Sequence, residues 1–378
     1  MLNGMLSPNQ IKVQQKVRNF VKEHIKPYAR EWDAIGDIPD SAVKAWRDTG
    51  LFCLVAPKEV GGPELDTLSA TIVLEELGYG CLGTATAFGA NNLCSYPVLL
   101  AGTPEQKQKH FAPLLEGEFG AFALTEPCAG SDAGAVATTA VRDGAEYVLN
   151  GTKCYITEGG LAATFIIIAS TDRSKGTKGL SAFIVERGRS GFSVGKVEDK
   201  MGIRASNTVE LVLKNVRIPA WHMIGKEGEG MKLAMSTLDS GRLMVAAQAV
   251  GAARAALDES IEFVKKRIDN GKPLASQQSV AFKIADMATV IEAGRQLVHQ
   301  GARLKDAHQP YSKHAAMTKL FCTDMAMQVA RDAMDIMGAY GYTKDSYVEK
   351  IWRDSRILSI YEGTNEIQRV VISGSLLR

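Results

Sequence analysis

The sequence has little of what marks a membrane, secreted or metal-binding protein. No apolar run approaches the ~18–20 residues that a membrane-spanning helix needs. The first ten residues (MLNGMLSPNQ) lack a basic stretch followed by an apolar one, so we predict no secretory signal and expect a cytoplasmic protein. The six cysteines are scattered without a C-x-x-C pair, which favours free thiols in a reducing compartment over disulfides or a zinc site.

The charge balance excludes further classes of protein. The chain has 44 Lys and Arg residues against 42 Asp and Glu residues, so nothing indicates a nucleic-acid partner. Hydrophobic residues make up 46% and charged residues 23%, which excludes a disordered, collagen-like or disulfide-scaffold protein. Because single hydrophobic cores stop growing beyond ~250–300 residues, we expect a chain of 378 residues to form more than one domain.

Familiar catalytic and nucleotide-binding motifs are missing or misplaced. The sequence has no G-x-x-x-x-G-K-[ST], H-E-x-x-H or G-x-S-x-G motif, and its six histidines show no ligand spacing, so we predict no metal site. Residues 78–83 spell G-x-G-x-x-G, but the dinucleotide-binding fingerprint needs a strand before its glycines. Because a predicted helix precedes them, we interpret these glycines as a helix stop followed by a loop.

The first third of the chain carries helical signals. Ser7 with Gln10, and Thr103 with Gln106, each form a capping box that has a proline at the first helical position. Apolar residues then recur at helical spacing. The pattern predicts five helices. The first begins near residue 8, and the other four cover about 40–50, 67–77, 84–100 and 104–115.

From about residue 121 the apolar runs become short, β-branched and alternating. Residues 147–157 contain Asn150-Gly151, the dipeptide that favours a type I′ turn, so they predict a β-hairpin. Further strands are predicted at 165–169 and 180–185. Another begins at Val209, and its alternation of apolar and polar residues slips by one residue at Asn215. Several short strands at this spacing predict a small barrel or sandwich.

The last third is helical again. One long amphipathic helix follows Gly230 and is broken by residues 271–273. Four more helices, at about 276–307, 311–338, 345–358 and 365–376, complete a predicted bundle. The predicted fold class is therefore α+β, with an N-terminal helical domain (1–120), a central β domain (121–226) and a C-terminal helical bundle (227–378).

Three segments resemble signature stretches of the acyl-CoA dehydrogenase family. They are residues 124–132 (LTEPCAGSD), 201–208 (MGIRASNT), and 353–356 (RDSR) followed by 360–368 (IYEGTNEIQ). They occur in the family's order, and the resemblance covers nearly the whole chain and is closest to the short-chain, butyryl-CoA type. It implies FAD as cofactor, acyl-CoA as substrate, an electron-transferring flavoprotein as partner, no membrane attachment, and a homotetramer.

The same resemblance implies that Glu362 is the general base, which removes the α-proton of an acyl-CoA while a hydride leaves the β-carbon for the flavin N5. Gly363 removes bulk beside Glu362, and Thr364 or Asn365 can cap the next helix. In isovaleryl and long-chain types the base lies at the position of Gly241, and glycine has no proton to exchange. On residue type alone, a solvated glutamate before a terminal helix is the simpler interpretation.

The implied FAD contacts fall into two groups. The contacts to the isoalloxazine ring match Leu124, Thr125, Tyr155 and Thr157. The contacts to the diphosphate and adenosine match Arg267, Gln278, Asp335, Thr364 and Glu366. Of these, Arg267 and Gln278 match contacts to the FAD of a neighbouring subunit. Several residues depart from the family's usual choice, among them Glu158 in place of asparagine, Asn270 in place of phenylalanine and Asp335 in place of glutamine. An acid near a diphosphate repels it unless Arg267 or a lysine neutralises the charge.

The implied acyl-CoA contacts are Ser131, Asp239, Arg242, Asn91, Tyr361 and Gly363. Asp239 and Arg242 have a simpler alternative, an i,i+3 ion pair worth only ~0.3–0.5 kcal/mol. Asn91 and Asn92 match the acyl-pocket region. They are either structural caps, which is the ordinary role of asparagine, or part of a pocket for a polar, cyclic or unsaturated acyl group.

Three functions remain open at this point. The first is FAD-dependent α,β-dehydrogenation of a short or small cyclic acyl-CoA, with electrons passed to an electron-transferring flavoprotein. The second is a flavin oxidase of the same fold, although acyl-CoA oxidases usually carry an extra domain and the nitroalkane type has aspartate at the position of Glu362. The third is a non-catalytic flavoprotein scaffold, which the presence of Glu362 disfavours.

Overall fold

The computed structural model describes residues 6–377. Residues 1–5, where the segment tested for a secretory signal begins, and residue 378 lie outside the described residues. The predicted order of helices, strands and helices is confirmed. The N-terminal helices are α1 (Pro8–His24), α2 (Ala29–Ile35), α3 (Asp40–Arg47), α4 (Thr67–Gly80), α5 (Leu82–Ala101) and α6 (Pro104–Leu115). Both predicted capping boxes are present: the side chains of Ser7 and Thr103 accept from the backbone N–H of Gln10 and Gln106.

The central strands form one eight-stranded mixed sheet. They are β1 (Gly120–Ala123), β2 (Thr139–Asp143), β3 (Glu146–Thr157), β4 (Thr164–Ser170), β5 (Leu180–Glu186), β6 (Phe192–Val197), β7 (Thr208–Pro219) and β8 (Met223–Ile224). Their order across the sheet is β6-β7-β3-β2-β4-β5-β8, and β1 pairs parallel to β4. Every residue of β4 is buried, because this strand has neighbours on both sides and both of its faces are covered.

The hairpin turn predicted at Asn150-Gly151 is wrong. Strand β3 runs through these residues, and the turn lies between β2 and β3 at Gly144, where φ is +60°. Asn150 instead bonds across to β7: its Oδ1 accepts from the backbone N–H of Asn215 (2.8 Å), and its Nδ2 donates to Asn215 Oδ1 (3.1 Å). The pairing of β3 with β7 shifts register at this point, so the slip predicted at Asn215 is confirmed as one side of a β-bulge.

The C-terminal part is a helical bundle built around the long helix α7. Its elements are α7 (Gly230–Lys266), β9 (Ile268–Asp269), β10 (Lys272–Pro273), α8 (Gln278–Asp306), α9 (Ser312–Met337), α10 (Tyr347–Ser355) and α11 (Asn365–Leu376). The predicted break after α7 is a small hairpin whose turn residues, Asn270 and Gly271, have φ of +46° and +74°. Within residues 6–377 no helix combines the length and apolar character that crossing a membrane requires.

The predicted helix stop at Gly78 is also wrong. Gly78 and Gly80 lie inside α4, and Gly83 lies in α5. A Cβ atom on Gly78 would lie 2.5 Å from the backbone oxygen of Gln248 in α7. Glycine is therefore needed here for close helix packing rather than for a turn. Because these glycines lie within helices, they do not form a dinucleotide-binding loop.

Candidate active site

The turn before α11 presents the side chain of Glu362. Glu362 and Gly363 both have left-handed backbone conformations, with φ of +55° and +81°. Such a conformation is easy for glycine and strained for glutamate. Thr364 ends the turn as the N-cap of α11, since its side chain accepts from the backbone N–H of Ile367 (3.4 Å). Of the two predicted caps, Thr364 rather than Asn365 is the one the structure uses.

Two buried side chains hold the carbonyl groups of this turn. Gln368 Nε2 donates to the backbone oxygens of Glu362 (3.2 Å) and Gly363 (2.8 Å). Lys319 of α9 donates from Nζ to the backbone oxygen of Gly363 (2.9 Å) and to Asn365 Oδ1 (2.9 Å). These donors stabilise the strained conformation of Glu362.

The Glu362 carboxylate lies at the interface of α5 and α7. Its Oε2 is buried and has no hydrogen-bond partner, although the residue as a whole keeps partial solvent exposure. A Cβ on Gly241 would lie 2.5 Å from this oxygen and 3.0 Å from a methyl carbon of Leu93. Burial raises the pKa of Glu362 to about 7, while the charges of Arg242 and Lys319 act to lower it. A carboxyl group with such a pKa can take up and release a proton near neutral pH.

The carboxamide of Gln248 in α7 links α5 to Tyr361, the residue that precedes Glu362. The Nε2 of Gln248 donates to the backbone oxygen of Ala85 (3.2 Å), and its Oε1 accepts from the hydroxyl of Tyr361 (3.3 Å). A Cβ on Gly89 would lie 3.0 Å from Gln248 Nε2. The buried carboxamide therefore fills the region that α5 would otherwise leave open at Gly89.

Asp239 and Arg242 of α7 form the predicted i,i+3 ion pair. The Arg242 side chain is 4% exposed, and its Nε is buried without a partner. Burial raises the pKa of Asp239, and the charge of Arg242 opposes that rise. A buried donor without a partner is unusual unless a ligand uses it. Ser131 is exposed in the loop between β1 and β2. The contacts of these three residues with acyl-CoA stay predictions.

Two of the segments expected to contact the flavin ring lie side by side. The residues concerned are Leu124, Thr125, Tyr155 and Thr157. The backbone N–H of Cys154 donates to the backbone oxygen of Thr125 (3.0 Å), and Lys153 Nζ donates to that of Leu124 (3.0 Å). Lys153 also pairs with Glu126 (2.7 Å) inside the protein. This buried pair fixes the end of β1 against β3.

The end of β3 has two residues in the left-handed region, Tyr155 (φ +57°) and Glu158 (φ +56°). The Tyr155 ring is 65% exposed, whereas Glu158 is buried and accepts from the Ser206 hydroxyl (2.8 Å). Thr157 lies half-buried between them. The exposed Tyr155 side chain is free to pack against a ligand, and its contact with the flavin stays a prediction.

The residues expected at the diphosphate and adenosine end are mostly exposed. Arg267, Gln278 and Asp335 lie on the surface of the bundle, and Glu366 is exposed at the start of α11. Asp335 faces Lys283 of α8, with 3.4 Å between Oδ2 and Nζ. The same lysine lies 3.4 Å from Asp332 Oδ1 as well, so it offsets only part of the charge of the acid that departs from the family's usual choice. Their exposure in a single chain is what a site shared with a second subunit would produce.

The polar pair on α5 joins structural elements. Asn91 Nδ2 donates to the backbone oxygen of Phe52 (3.1 Å), and its Oδ1 accepts from the backbone N–H of Gly120 (2.7 Å). Asn92 Oδ1 accepts from the backbone N–H of Leu54 (2.8 Å). These contacts favour the structural interpretation, because an acyl group bonded to Asn91 would have to replace one of them.

Sequence reasoning missed Lys319, Gln248 and Gln368 as residues around Glu362. The sequence does carry a signal for Lys319, because this lysine lies on the face of α9 that otherwise consists mainly of small buried residues. Gln248 likewise falls within the buried stretch of α7. A polar side chain on a buried helix face indicates a specific partner, but not which one.

The fold and the site define a class: a flavin-dependent oxidoreductase that acts on a carbon–carbon single bond. Three domain profiles match the chain, namely the N-terminal (7–118), middle (121–216) and C-terminal (228–377) domains of acyl-CoA dehydrogenases. The chain therefore belongs to the acyl-CoA dehydrogenase family, and FAD is its cofactor.

Individual relatives cover nearly the whole chain. It is 48% identical over 375 residues to the short-chain specific acyl-CoA dehydrogenase of Clostridium acetobutylicum, covering 99% of each chain. It is 45% identical to the acryloyl-CoA reductase (NADH) of Anaerotignum propionicum, covering 99% of this chain and 95% of that protein. The solved butyryl-CoA dehydrogenase from Megasphaera elsdenii is 42% identical, has a TM-score of 0.96, and 99% of each chain is covered.

A further solved chain comes from a study of the electron transferring flavoprotein of Acidaminococcus fermentans and its mechanism of flavin-based electron bifurcation. It is 44% identical to this chain, with a TM-score of 0.97 and 99% of each chain covered. Together these similarities support the dehydrogenation of acyl-CoA as the general activity.

Proposed function

We propose that this protein dehydrogenates short-chain or small cyclic acyl-CoA to the enoyl-CoA, with Glu362 as the base and an electron-transferring flavoprotein as the electron acceptor. The observation that carries the proposal is the buried, unpartnered Oε2 of Glu362, which faces the bare backbone of Gly241 at the interface of α5 and α7. An unpaired carboxylate oxygen in a partly exposed residue is poised to take a proton from a ligand.

The chain's own residues account for the proton step. Glu362 Oε2 removes the α-proton, and the backbone N–H of Glu362 is proposed to donate to the thioester oxygen as negative charge develops. A pKa of about 7 leaves much of the carboxylate ionised at neutral pH, yet basic enough to accept a proton. When bound, FAD accepts the hydride that leaves the β-carbon.

Two groups of residues are proposed to hold FAD. Leu124 and Thr125 lie in a segment that is hydrogen-bonded to the β3 segment of Tyr155 and Thr157, and these four residues are proposed for the isoalloxazine ring. The residues proposed for the diphosphate and adenosine are Arg267, Gln278, Asp335, Thr364 and Glu366. The guanidinium group of Arg267 suits a diphosphate, because it is planar and can donate two parallel N–H hydrogen bonds to phosphate oxygens. Lys283, which is shared with Asp332, offsets part of the charge of Asp335 that would oppose the diphosphate.

Gln248 supports a short acyl chain as substrate. An acyl group reaching Glu362 and extending along α5 would meet the Gln248 carboxamide where Gly89 leaves space for it. Displacing that carboxamide would break its hydrogen bonds to Ala85 and Tyr361, which is unfavourable for buried polar groups. Each methylene beyond the available space adds strain.

The geometry also favours the reverse reaction as a second activity. A protonated Glu362 can return a proton to the α-carbon of an enoyl-CoA, and a pKa of about 7 populates both protonation states. Two relatives are reductases, the acryloyl-CoA reductase (NADH) and the 3-(aryl)acrylate reductase of Clostridium sporogenes. Anaerobic mixing of the dithionite-reduced protein with crotonyl-CoA measures this direction.

The forward reaction is tested with Glu362→Gln. We expect the variant to stay yellow, but its flavin absorbance should bleach with butyryl-CoA, anaerobically, ~10²–10⁴-fold more slowly than in the wild type, because the amide cannot accept the proton. Glu262→Gln, which changes an exposed carboxylate on α7, is the matched control and should bleach normally. Near-normal bleaching of the Glu362 variant would exclude Glu362 as the base.

The same measurement separates the alternative functions. A panel of acyl-CoA thioesters with straight, branched and cyclic chains identifies the preferred acyl group. Slow reoxidation in air after bleaching supports the dehydrogenase, and rapid reoxidation supports the oxidase. A protein that binds no flavin supports the scaffold.

A further inference from the structure

Lys319 is a buried cation to which the proposed reaction assigns no role. Its side chain is fully buried in α9. Both hydrogen-bond acceptors of its Nζ, the backbone oxygen of Gly363 and Asn365 Oδ1, are neutral and lie within three residues of Glu362. Within residues 6–377 Lys319 forms no ion pair with a carboxylate. Burying an ammonium group without a counter-ion is costly, so a function for its charge is expected.

The position of Lys319 is fixed by a closed set of hydrogen bonds. Asn365, which accepts from Lys319, donates from Nδ2 to Asp324 Oδ1 (2.7 Å) and Thr323 Oγ1 (3.0 Å). The Thr323 hydroxyl in turn donates to the backbone oxygen of Lys319 (2.8 Å). The ammonium is thus held rigidly against the turn that carries Glu362.

We propose that Lys319 is a positioning residue for Glu362. Its ammonium group holds the left-handed Glu362-Gly363 turn, and its positive charge keeps the Glu362 carboxylate ionised in a site that otherwise disfavours charge. This inference rests on the proposed role of Glu362 as the base.

Of the two cations that act on Glu362, Lys319 is the one without a paired carboxylate among residues 6–377. Two cations face Glu362, namely Arg242 from α7 and Lys319 from α9. Arg242 has the larger effect of the two on the pKa of Glu362, but it is already paired with Asp239. Lys319 also senses the charges of Arg242, Asp324 and Glu366, but it has no carboxylate paired to it.

The two groups also affect each other's ionisation. Burial lowers the pKa of Lys319 to about 8, and the charge of Glu362 acts to raise it again. The charge of Lys319 in turn lowers the pKa of Glu362, which burial raises to about 7. The interval between about pH 7 and 8 is therefore where both groups are charged.

The experiment compares Lys319→Met, Lys319→Gln and Lys319→Arg in the FAD-loaded protein. Removing the charge should raise the pKa of Glu362, so the acidic limb of the pH profile of kcat/KM for butyryl-CoA should move upward by about one pH unit. At pH values below the limb, kcat/KM should fall about tenfold. Lys319→Arg keeps the charge and should keep the limb where it is in the wild type. Lys319→Gln keeps a donor without the charge and should shift the limb as Lys319→Met does.

Lys305→Met is the matched control. Lys305 is another largely buried lysine, with Nζ donating to Ser240 Oγ (2.8 Å), and burial likewise lowers its pKa to about 8. Its removal changes stability but should leave the acidic limb in place. Infrared titration of the Glu362 carboxyl band, assigned by its absence in Glu362→Gln, measures the same pKa shift without turnover.

The outcomes separate the two proposals. If Glu362→Gln abolishes bleaching but both neutral Lys319 variants keep the wild-type limb and carboxyl titration, the inference about Lys319 is wrong and the base assignment stands. If Lys319→Met does not fold, Lys319→Gln carries the test. If Glu362→Gln bleaches normally, the proposed function itself fails.

Discussion

At the residue scale, Glu158 is the acid whose placement is least expected. It is buried, stands where the family usually has asparagine, and has the left-handed φ of +56°. The Ser206 hydroxyl donates to it, and the charge of Lys200 favours its ionised form, but burial dominates and raises its pKa to about 8. The folded protein therefore holds a proton on Glu158 at neutral pH, where an unfolded chain does not.

This pKa predicts a pH-dependent stability. Because the pKa of Glu158 in the folded protein lies above the ordinary value of 4.5 for a glutamate, Glu158 contributes stability that is fully present below about pH 4.5 and is lost as the pH rises to about 8. Across this window its contribution to the free energy of unfolding falls by about 1.4 kcal/mol per pH unit. Urea unfolding of Glu158→Gln and wild type at pH 5, 6.5 and 8 should show the variant gaining relative stability with pH. Parallel curves, like those expected for Glu262→Gln, would contradict the buried acid.

At the element scale, the contact of α4 with α7 is closer than side chains allow. A Cβ on Gly251 would lie 2.1 Å from the backbone oxygen of Glu75 and 2.7 Å from the backbone nitrogen of Tyr79. Arg254, one turn further along α7, pairs with both Glu75 (2.7 Å) and Glu76. The close approach and the buried ion pairs depend on each other, because separating the helices would lengthen these pairs.

We therefore expect opposite effects from two glycine-to-alanine substitutions. Gly251→Ala should destabilise the protein by ~1–3 kcal/mol, since the clash with the backbone of α4 outweighs the gain in helix propensity. Gly374→Ala, on α11 where a Cβ meets nothing within 4 Å, should stabilise it by ~0.5–1 kcal/mol. Urea midpoints measured under one condition test both changes. Stabilisation by Gly251→Ala would mean that α4 and α7 are further apart than described.

At the scale of the whole molecule, one face of the bundle exposes apolar side chains near proposed cofactor contacts. Ile268 is 57% and Phe282 58% exposed, beside Arg267 and Gln278. Exposed apolar groups clustered with charged groups for a ligand are typical of a surface that a second subunit covers. This agrees with the homotetramer predicted from the sequence, which stays a prediction.

Phe282→Glu tests this prediction. If a partner covers Phe282, the variant should sediment as a smaller species and lose FAD on dilution, because the charge would be buried in the interface. Val141→Glu, a similar change at a side chain that is 61% exposed on β2, is the control. Sedimentation velocity and the ratio of flavin to protein absorbance measure the two effects. An unchanged mass and unchanged FAD retention would show that this face is not an interface.

The sequence by itself determined the order of the elements, both capping boxes and the position of Glu362. Caps and helical periodicity depend on residues within one or two turns, so they survive without tertiary information. The dipeptide Asn-Gly shows the limit of prediction from local sequence. It forms the turn at Asn270, but at Asn150 the pairing with Asn215 of β7 turns it into a bulge.

Only the tertiary structure decided what surrounds Glu362. Lys319, Gln248 and Gly241 lie 43, 114 and 121 residues before it in the chain, and each acts on it or beside it through contacts between helices. Helix packing brings these residues together, and no local pattern encodes which helix faces will meet. Burial then sets the chemistry of the site, because the pKa of a carboxyl group depends on the water and the charges that the folded chain leaves around it.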